Sequence, residues 1–471
     1  GLDDFFLAGR SFSSFFIVMT LMASTLSAVL YLGGAASYYG QGIGFHIIFS
    51  EHVLVGFVFY FVGSRMWSLG RKYGYLNITD LIADRYQSHG LALLLGIIMI
   101  VGIVPYLGAQ LRGAGISLES MTSGIIPFYL GVILFVIIIG GYSFAGGFRA
   151  VVLTDVVQGL IMIVGLYTAM FMIAERVSGG VIPMMREVAE VAPELLSIPG
   201  PNNIWTYPAL LSTYLLWGLG SIMRADLSQR MYAPRSAKDF KQSVFFHPLA
   251  ILIMTIPPFF IGMAGRIYFA DGALSSPDAL FPTMVNELLP PSVGVIILIG
   301  LLAAMMSTAD SQLLSGTSIF MRDIYLRFIN QRVNDEKITS ISRLAVMGFL
   351  IASVFIVLYG PPTIVGLLAN VSFPIWVQGF PVLVGGLFWR RANLPGAVAC
   401  LLVGETLVFL LSTNVFSLPV LAPGLWALIF GTASYIVVSF LTPPQDVDTL
   451  ERFFGPLNVN KRRDESKSIG V

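Results

Sequence analysis

The chain reads as an all-α membrane protein with twelve spanning helices, ten of them arranged as two five-helix halves of opposite orientation. Three observations predict this. Of the 471 residues, 56% are hydrophobic and only 11% charged. Mean hydropathy is +0.82. Apolar runs of about 20 residues, the length that crosses a bilayer, recur along the whole chain. A soluble protein of this size carries roughly a quarter charged residues, because much of its surface meets water. Here lipid must be the solvent for most of the surface.

The twelve segments fall near 12–38, 42–66, 90–118, 127–147, 150–174, 206–225, 243–267, 292–321, 340–360, 363–388, 394–413 and 423–442. Backbone polar groups in lipid must be satisfied within the segment, so each is expected to be a helix. Lys and Arg set the orientation. With the stretch before span 1 in the cytoplasm, 23 of the 27 basic residues fall in loops on that side, while Arg176, Arg186 and Arg266 fall opposite and Arg112 lies in span 3. That bias predicts a cytoplasmic, charged C-terminal tail over 443–471, and the plasma membrane is the expected location. The sequon Asn77-Ile78-Thr79 lies on the cytoplasmic side in this arrangement and is given no role.

Several function classes are excluded. A net charge of +1 gives nucleic-acid binding no electrostatic support. The single cysteine, Cys400, permits neither an intramolecular disulfide nor a cysteine-based metal centre. No phosphate-binding loop, His-Glu-x-x-His or Gly-x-Ser-x-Gly motif is present, so an enzyme is not expected. His46 and His52 have no partners at metal-ligand spacing.

Spans 1–5 and 6–10 can be set side by side, and an odd number of helices per unit makes the two units inverted. The first span of each is interrupted. Span 1 holds Ser24, Thr25, Ser27, Gly33 and Gly34; span 6 holds Trp217, Gly218, Gly220 and Ser221. Broken helices expose carbonyls and helix ends near mid-bilayer, where ions and solutes bind. Glycines also simply let helices pack closely, and the pattern alone does not choose between the two.

Span 8 is the most informative stretch. Ala304, Ser307, Thr308 and Ser311 recur at i, i+3, i+4 and i+7, with Asp310 alongside. Hydroxyl and carbonyl oxygens on one face suit an alkali cation that sheds its water. One such hydroxyl would be read as bonding back to its own helix; the whole stripe with an acid points to an ion or proton pathway. Asp155, at the start of span 5, is either a second cation ligand, a proton carrier, or a helix-start acid paired with Arg149. Arg112 could grip a carboxylate, but also reach the outer interface or pair with Glu119. Glu405, outside both repeats, is read as structural.

The chain resembles the sodium/solute symporter family from about residue 3 to 395. The resemblance rests on Asp4-Phe5-Phe6-Leu7-Ala8-Gly9-Arg10, on Gly146-Gly147-Phe148-Arg149-Ala150-Val151-Val152 with Thr154-Asp155 and Gln158-Gly159, on Ala303 to Leu314 followed by Arg322-Asp323-Ile324-Tyr325, and on Gly386-Leu387-Phe388-Trp389. It implies the leucine-transporter (LeuT-type) fold, a five-plus-five inverted repeat over residues 1–393, two further helices over 394–442, and alternating access. The family usually has one more helix before the first repeat helix, which fits a chain whose numbering opens at Gly1 without a Met.

The resemblance also implies sites. The main sodium ion would bind the carbonyls of Ala23, Leu26 and Ala304 and the hydroxyls of Ser307 and Thr308. Asp155, Asp310 and Ser311 would form a second sodium site or share a proton. Thr25, Ser27, Gln110, Trp217 and Asn370, with Glu51 and Arg112 as further candidates, would meet the solute. Leu30 stands where sugar-transporting members use a polar side chain, and Pro105 to Leu111 is more similar to organic-acid members. The expected function is sodium symport of a small polar solute, a monocarboxylate favoured, with amino acids, pantothenate, sialic acid or sugars as alternatives. Proton symport and a passive channel or uniporter are the rival mechanisms. The oligomeric state is left open.

Overall fold

The computed structural model describes residues 7–142, 147–269, 274, 276–331 and 335–455, so Asp4 to Phe6 and Gly146 of the quoted motifs, and the end of the tail, lie outside the described residues. The described chain is helical almost throughout; its one strand-like pairing is an isolated bridge between Phe12 and Pro234.

The helices that position the site are these. α1 is Ser14–Thr25, and α2 runs Val29–Tyr73. α3 is the short Ile78–Tyr86, started by the Asn77 side chain, which accepts the Asp80 amide N–H. α4 is His89–Met121, α5 Phe128–Tyr142, α6 Gly147–Ser178 and α7 Val181–Val191. α8 is Tyr207–Gly220, α9 Ala225–Tyr232 and α10 Ala237–Tyr268. α11 is Leu280–Leu288. α12 is Pro291–Ile329, α13 Asp335–Tyr359 and α14 Ile364–Phe388. α15 is Leu394–Ser412, α16 Pro423–Leu441, and a last helix, α17, covers 447–455.

Among the described residues nine helices are long and apolar enough to cross a bilayer, not twelve. The difference has a structural reason. Predicted spans 1 and 6 are each split, leaving α1 and α8 too short to count as whole spans. The upper part of span 1 also runs on into span 2 as the single bent helix α2. The bend is at Gly42, whose φ of +72° and distance of 2.5 Å from a would-be Cβ to the Leu195 carbonyl oxygen leave room for no side chain. Predicted span 4 is likewise short as helix α5.

The breaks do not sit where the glycines suggested. In the first repeat the helix ends at Thr25, and Leu26 leaves helical geometry with ψ 84°. Gly33 and Gly34 lie within the next helix. There Gly33 allows close packing: a Cβ would come within 2.8 Å of the Val365 side chain on α14. In the second repeat α8 ends at Gly220, a short turn follows, and Arg224 is extended at ψ 126°. The chain then forms α9, every residue of which is buried, where the sequence was read as cytoplasmic loop.

The C-terminal α17 packs back on one end of the bundle. Arg452 pairs with Asp84 at 2.6 Å, and Tyr73 donates to the Arg452 carbonyl at 3.1 Å. Phe453 and Phe454 are buried, with the guanidiniums of Arg65, Arg85 and Arg390 over the Phe454 ring at 5.3, 5.6 and 5.4 Å.

Candidate ion and solute site

The break after α1 is held against α12. Ser307 donates to the Ala23 carbonyl at 3.0 Å and to the Ala304 carbonyl at 2.9 Å. Thr308 donates to the Ser24 carbonyl at 3.3 Å. Ala23, Leu26, Ala304 and Thr308 are fully buried, and Ser307 nearly so. The hydroxyl stripe therefore faces the unwound segment rather than lipid. Carbonyl and hydroxyl oxygens of two helices converge in a space shielded from solvent, the donor set that suits a dehydrated alkali ion. Thr308 meets the carbonyl of Ser24, one that the sequence reading did not include.

Gly113 on α4 lets the break approach: a Cβ there would fall 2.8 Å from the Ala28 Cβ. Gln110, one turn away, accepts the Ala28 N–H at 3.0 Å and donates to the Tyr106 carbonyl at 3.2 Å. Ser27 accepts the Val29 N–H at 3.2 Å. Both side chains thus satisfy amides that the broken helix leaves open.

Asp155, expected to form a second sodium or proton site with Asp310 and Ser311, is in an ion pair. Asp155 lies 3.3 Å from Nη2 of Arg230, with both side chains buried. The same Nη2 donates to Ser311 at 2.7 Å, and Nε donates to Thr20 at 2.9 Å. Thr20 in turn donates to Asp155 at 2.5 Å, and Ser311 meets Ser24 at 3.0 Å. A guanidinium therefore sits among the oxygens that were expected to hold a second sodium ion. Asp155 is tied to α12 through Arg230 and Ser311, and its partner is not Arg149, which is exposed. Asp310 is buried on α12 beside Ser311.

Arg224 anchors the second break. It donates to both oxygens of Asp226, at 3.2 and 2.8 Å, and to the Ser24 carbonyl at 3.2 Å. Its guanidinium lies 4.5 Å from the Tyr106 ring centroid, and Gln312 donates to Asp226 at 2.9 Å. Sequence reasoning missed Thr20, Arg224, Asp226, Arg230 and Gln312. The signal available was Asp226 and Arg230 at helical i, i+4 spacing in a run with no breaker before Pro234.

The remaining candidates scatter. Thr25 bonds back to the Leu21 carbonyl at 2.8 Å. Trp217 stacks on Phe373, centroids 4.1 Å apart. Arg112 is taken up by the carbonyls of Pro362 and Val357, at 3.0 and 2.7 Å, so it closes a loop rather than facing the break. Glu119 accepts the Phe128 N–H at 3.2 Å, and among the described residues no ion pair joins it to Arg112. Glu51 is buried beside His52 at 3.3 Å. Asn370 lines a cavity of about 420 Å³ with Ser37, Gln41, Trp205, Thr213 and Asp278. Burial raises the Asp278 carboxyl to about 6, against the pull of the Ile364 N–H that it accepts.

The sequence profile of the Sodium:solute symporter family matches residues 5–404. The chain belongs to this family. The symporter is 28% identical over 442 residues to the sodium/pantothenate symporter of Haemophilus influenzae, covering 93% of this chain and 90% of that protein. It is 28% identical to the sodium/pantothenate symporter of Escherichia coli, covering 88% and 85%. With the high-affinity proline transporter PutP of Bacillus subtilis it shares 25% identity, covering 87% and 86%. Its fold is that of a Na+-coupled sialic acid symporter in a substrate-bound outward-open state, with TM-score 0.77 at 19% identity over 94% of this chain and 93% of that one. The Mhp1 nucleobase-cation-symport-1 transporter in a closed conformation gives TM-score 0.61 at 13% identity, over 94% and 96%. This chain is thus a multi-pass membrane protein of the LeuT-type fold and a sodium-coupled solute symporter, not an enzyme.

Proposed function

We propose that the symporter's driving sodium ion binds between the α1 break and α12, on the carbonyls of Ala23, Leu26 and Ala304 and the hydroxyls of Ser307 and Thr308. The observation that carries this is the meeting of Ser307 and Thr308 with the carbonyls of Ala23 and Ser24 across two helices. Sodium bridging α1 and α12 favours the state in which they touch, and only such a difference in affinity between states can drive a conformational cycle. The solute proposed is a small organic acid, bound at the break near Gln110 and Trp217 and reached from the Asn370 cavity. A carboxylate suits this place because the bound ion supplies positive charge where Arg112 and Arg224 are already occupied. The named relatives carry pantothenate and proline, both of which bear a carboxylate. We assign residues 1–393 to the repeat core, 394–442 to two added helices and 443–471 to a tail on the cytoplasmic side of the plasma membrane.

Reconstituted into proteoliposomes, the protein should accumulate pantothenate or a smaller carboxylate against its gradient only when sodium is imposed inward. Thr308→Ala should raise the sodium concentration for half-maximal uptake about tenfold or more, as one lost ligand of roughly 1.4 kcal/mol implies. Unchanged sodium dependence in that variant would remove the site; equilibration without accumulation would make the protein a uniporter.

A further inference from the structure

A second buried polar group, between α2 and α10, has no role in the sodium and solute binding proposed above. Glu51 and His52 on α2 and His247 on α10 are at most 6% exposed. Glu51 Oε1 is 3.3 Å from His52 Nδ1, which also meets the Phe49 carbonyl at 3.2 Å. The two imidazole centroids are 5.7 Å apart, and His247 stacks on Phe59 at 6.0 Å. Among the described residues, Glu51 Oε2 and both ring nitrogens of His247 have no hydrogen-bond partner. The charged and titratable groups facing them from other elements are Arg224, with its partner Asp226, at the second break, and Tyr214 on α8.

Packing alone does not explain these residues. An imidazole buried with neither nitrogen bonded, or a carboxylate with one oxygen unmet, costs about 1–3 kcal/mol that Leu or Phe would not. Arg224 is committed to both oxygens of Asp226, so it does not neutralise Glu51 through an ion pair of its own. The three groups are not a metal site: among the described residues no set of three His, Cys, Asp or Glu could hold an ion.

We propose that Glu51, His52 and His247 together form a proton-binding site, and that sodium binding expels the proton it holds. The link is Arg224, whose Nη2 donates to the Ser24 carbonyl, the same carbonyl that receives Thr308. A cation arriving beside that carbonyl adds positive charge against the guanidinium that already acts electrostatically on Glu51 and His247, and so weakens the cluster's hold on a proton. Linkage makes the effect mutual, so a bound proton weakens sodium binding to the same degree. This coupling, though not the proton site itself, rests on the sodium site proposed above.

The test uses the purified full-length protein in detergent, without solute, titrated with sodium chloride between about pH 5 and 9 and followed by thermal shift. The half-saturating sodium concentration should rise as pH falls, approaching about tenfold per pH unit where one proton is displaced. Sodium added to weakly buffered protein should release up to about one proton per chain. Glu51→Gln and His247→Gln should flatten the pH dependence and abolish the release. Thr308→Ala should weaken sodium binding at every pH, so its failure to do so indicts the sodium site alone. Sodium affinity of the wild type that is flat with pH overturns the proposed expulsion of a proton from this cluster by sodium. So does a pH dependence that survives in both Glu51→Gln and His247→Gln. If Glu51→Gln does not fold, His247→Gln and the wild-type proton release decide the matter.

Discussion

Arg230 makes the largest difference between the expected chemistry and the observed chemistry at the scale of single residues. Its guanidinium is fixed by Asp155, Thr20, Ser311 and the Asp226 carbonyl, drawn from four helices. Removing one member of a buried pair strands the other in a low-dielectric interior, at a cost of about 3–5 kcal/mol. Arg230→Met and Asp155→Asn should each lower thermal stability by that order. The combined Asp155→Asn and Arg230→Met protein should lose clearly less than the sum, because no lone charge remains. Additive losses in this double-mutant cycle would mean that the pair is not coupled.

At the scale of elements, the two breaks organise the site, and each is completed by a neighbour. Gln110 on α4 holds the amide of Ala28. Gln110→Leu leaves that N–H buried without a partner and should cost about 1–3 kcal/mol of stability. It should also weaken solute binding, measured as a higher half-saturating concentration at fixed sodium; unchanged affinity and stability would show that the break holds its shape unaided. This interplay explains what could be read in the sequence. The hydroxyl face of α12 was legible because helical periodicity is local, and Ser307 and Thr308 stand where that periodicity put them. The break itself was legible only roughly. Glycine marks where a helix can bend or approach another closely, and here Gly33 serves approach while the unwinding falls at Leu26 and Ser27. The partner of Asp155 was not legible, because Arg230 lies 75 positions away on a helix taken for a loop. Basic residues near a span's end read as cytoplasmic, and nothing local distinguishes a buried arginine from a solvated one.

At the scale of the whole molecule, some of the arginines counted in the charge bias do not face water. Among the described residues, Arg10, Arg85, Arg224 and Arg230, all assigned to one side in the sequence reading, are buried. Arg10 and Arg85 are structural at that end: Arg10 binds the Gly70 and Tyr75 carbonyls at 2.9 Å each, and Arg85 the Gly386 carbonyl at 2.8 Å. α17 lies at the same end. It joins Tyr73 on α2, Asp84 and Arg85 on α3, and the segment after α14 that carries Arg390. A protein shortened to end at Thr442 would therefore uncover a ring of arginines whose aromatic cover has gone. It should unfold at a lower temperature in detergent, while its half-saturating sodium concentration stays that of the intact protein. For anyone attaching a reporter, the join belongs after residue 455: a fluorescent domain spliced in at 443 would report on a transporter whose end has been pried open.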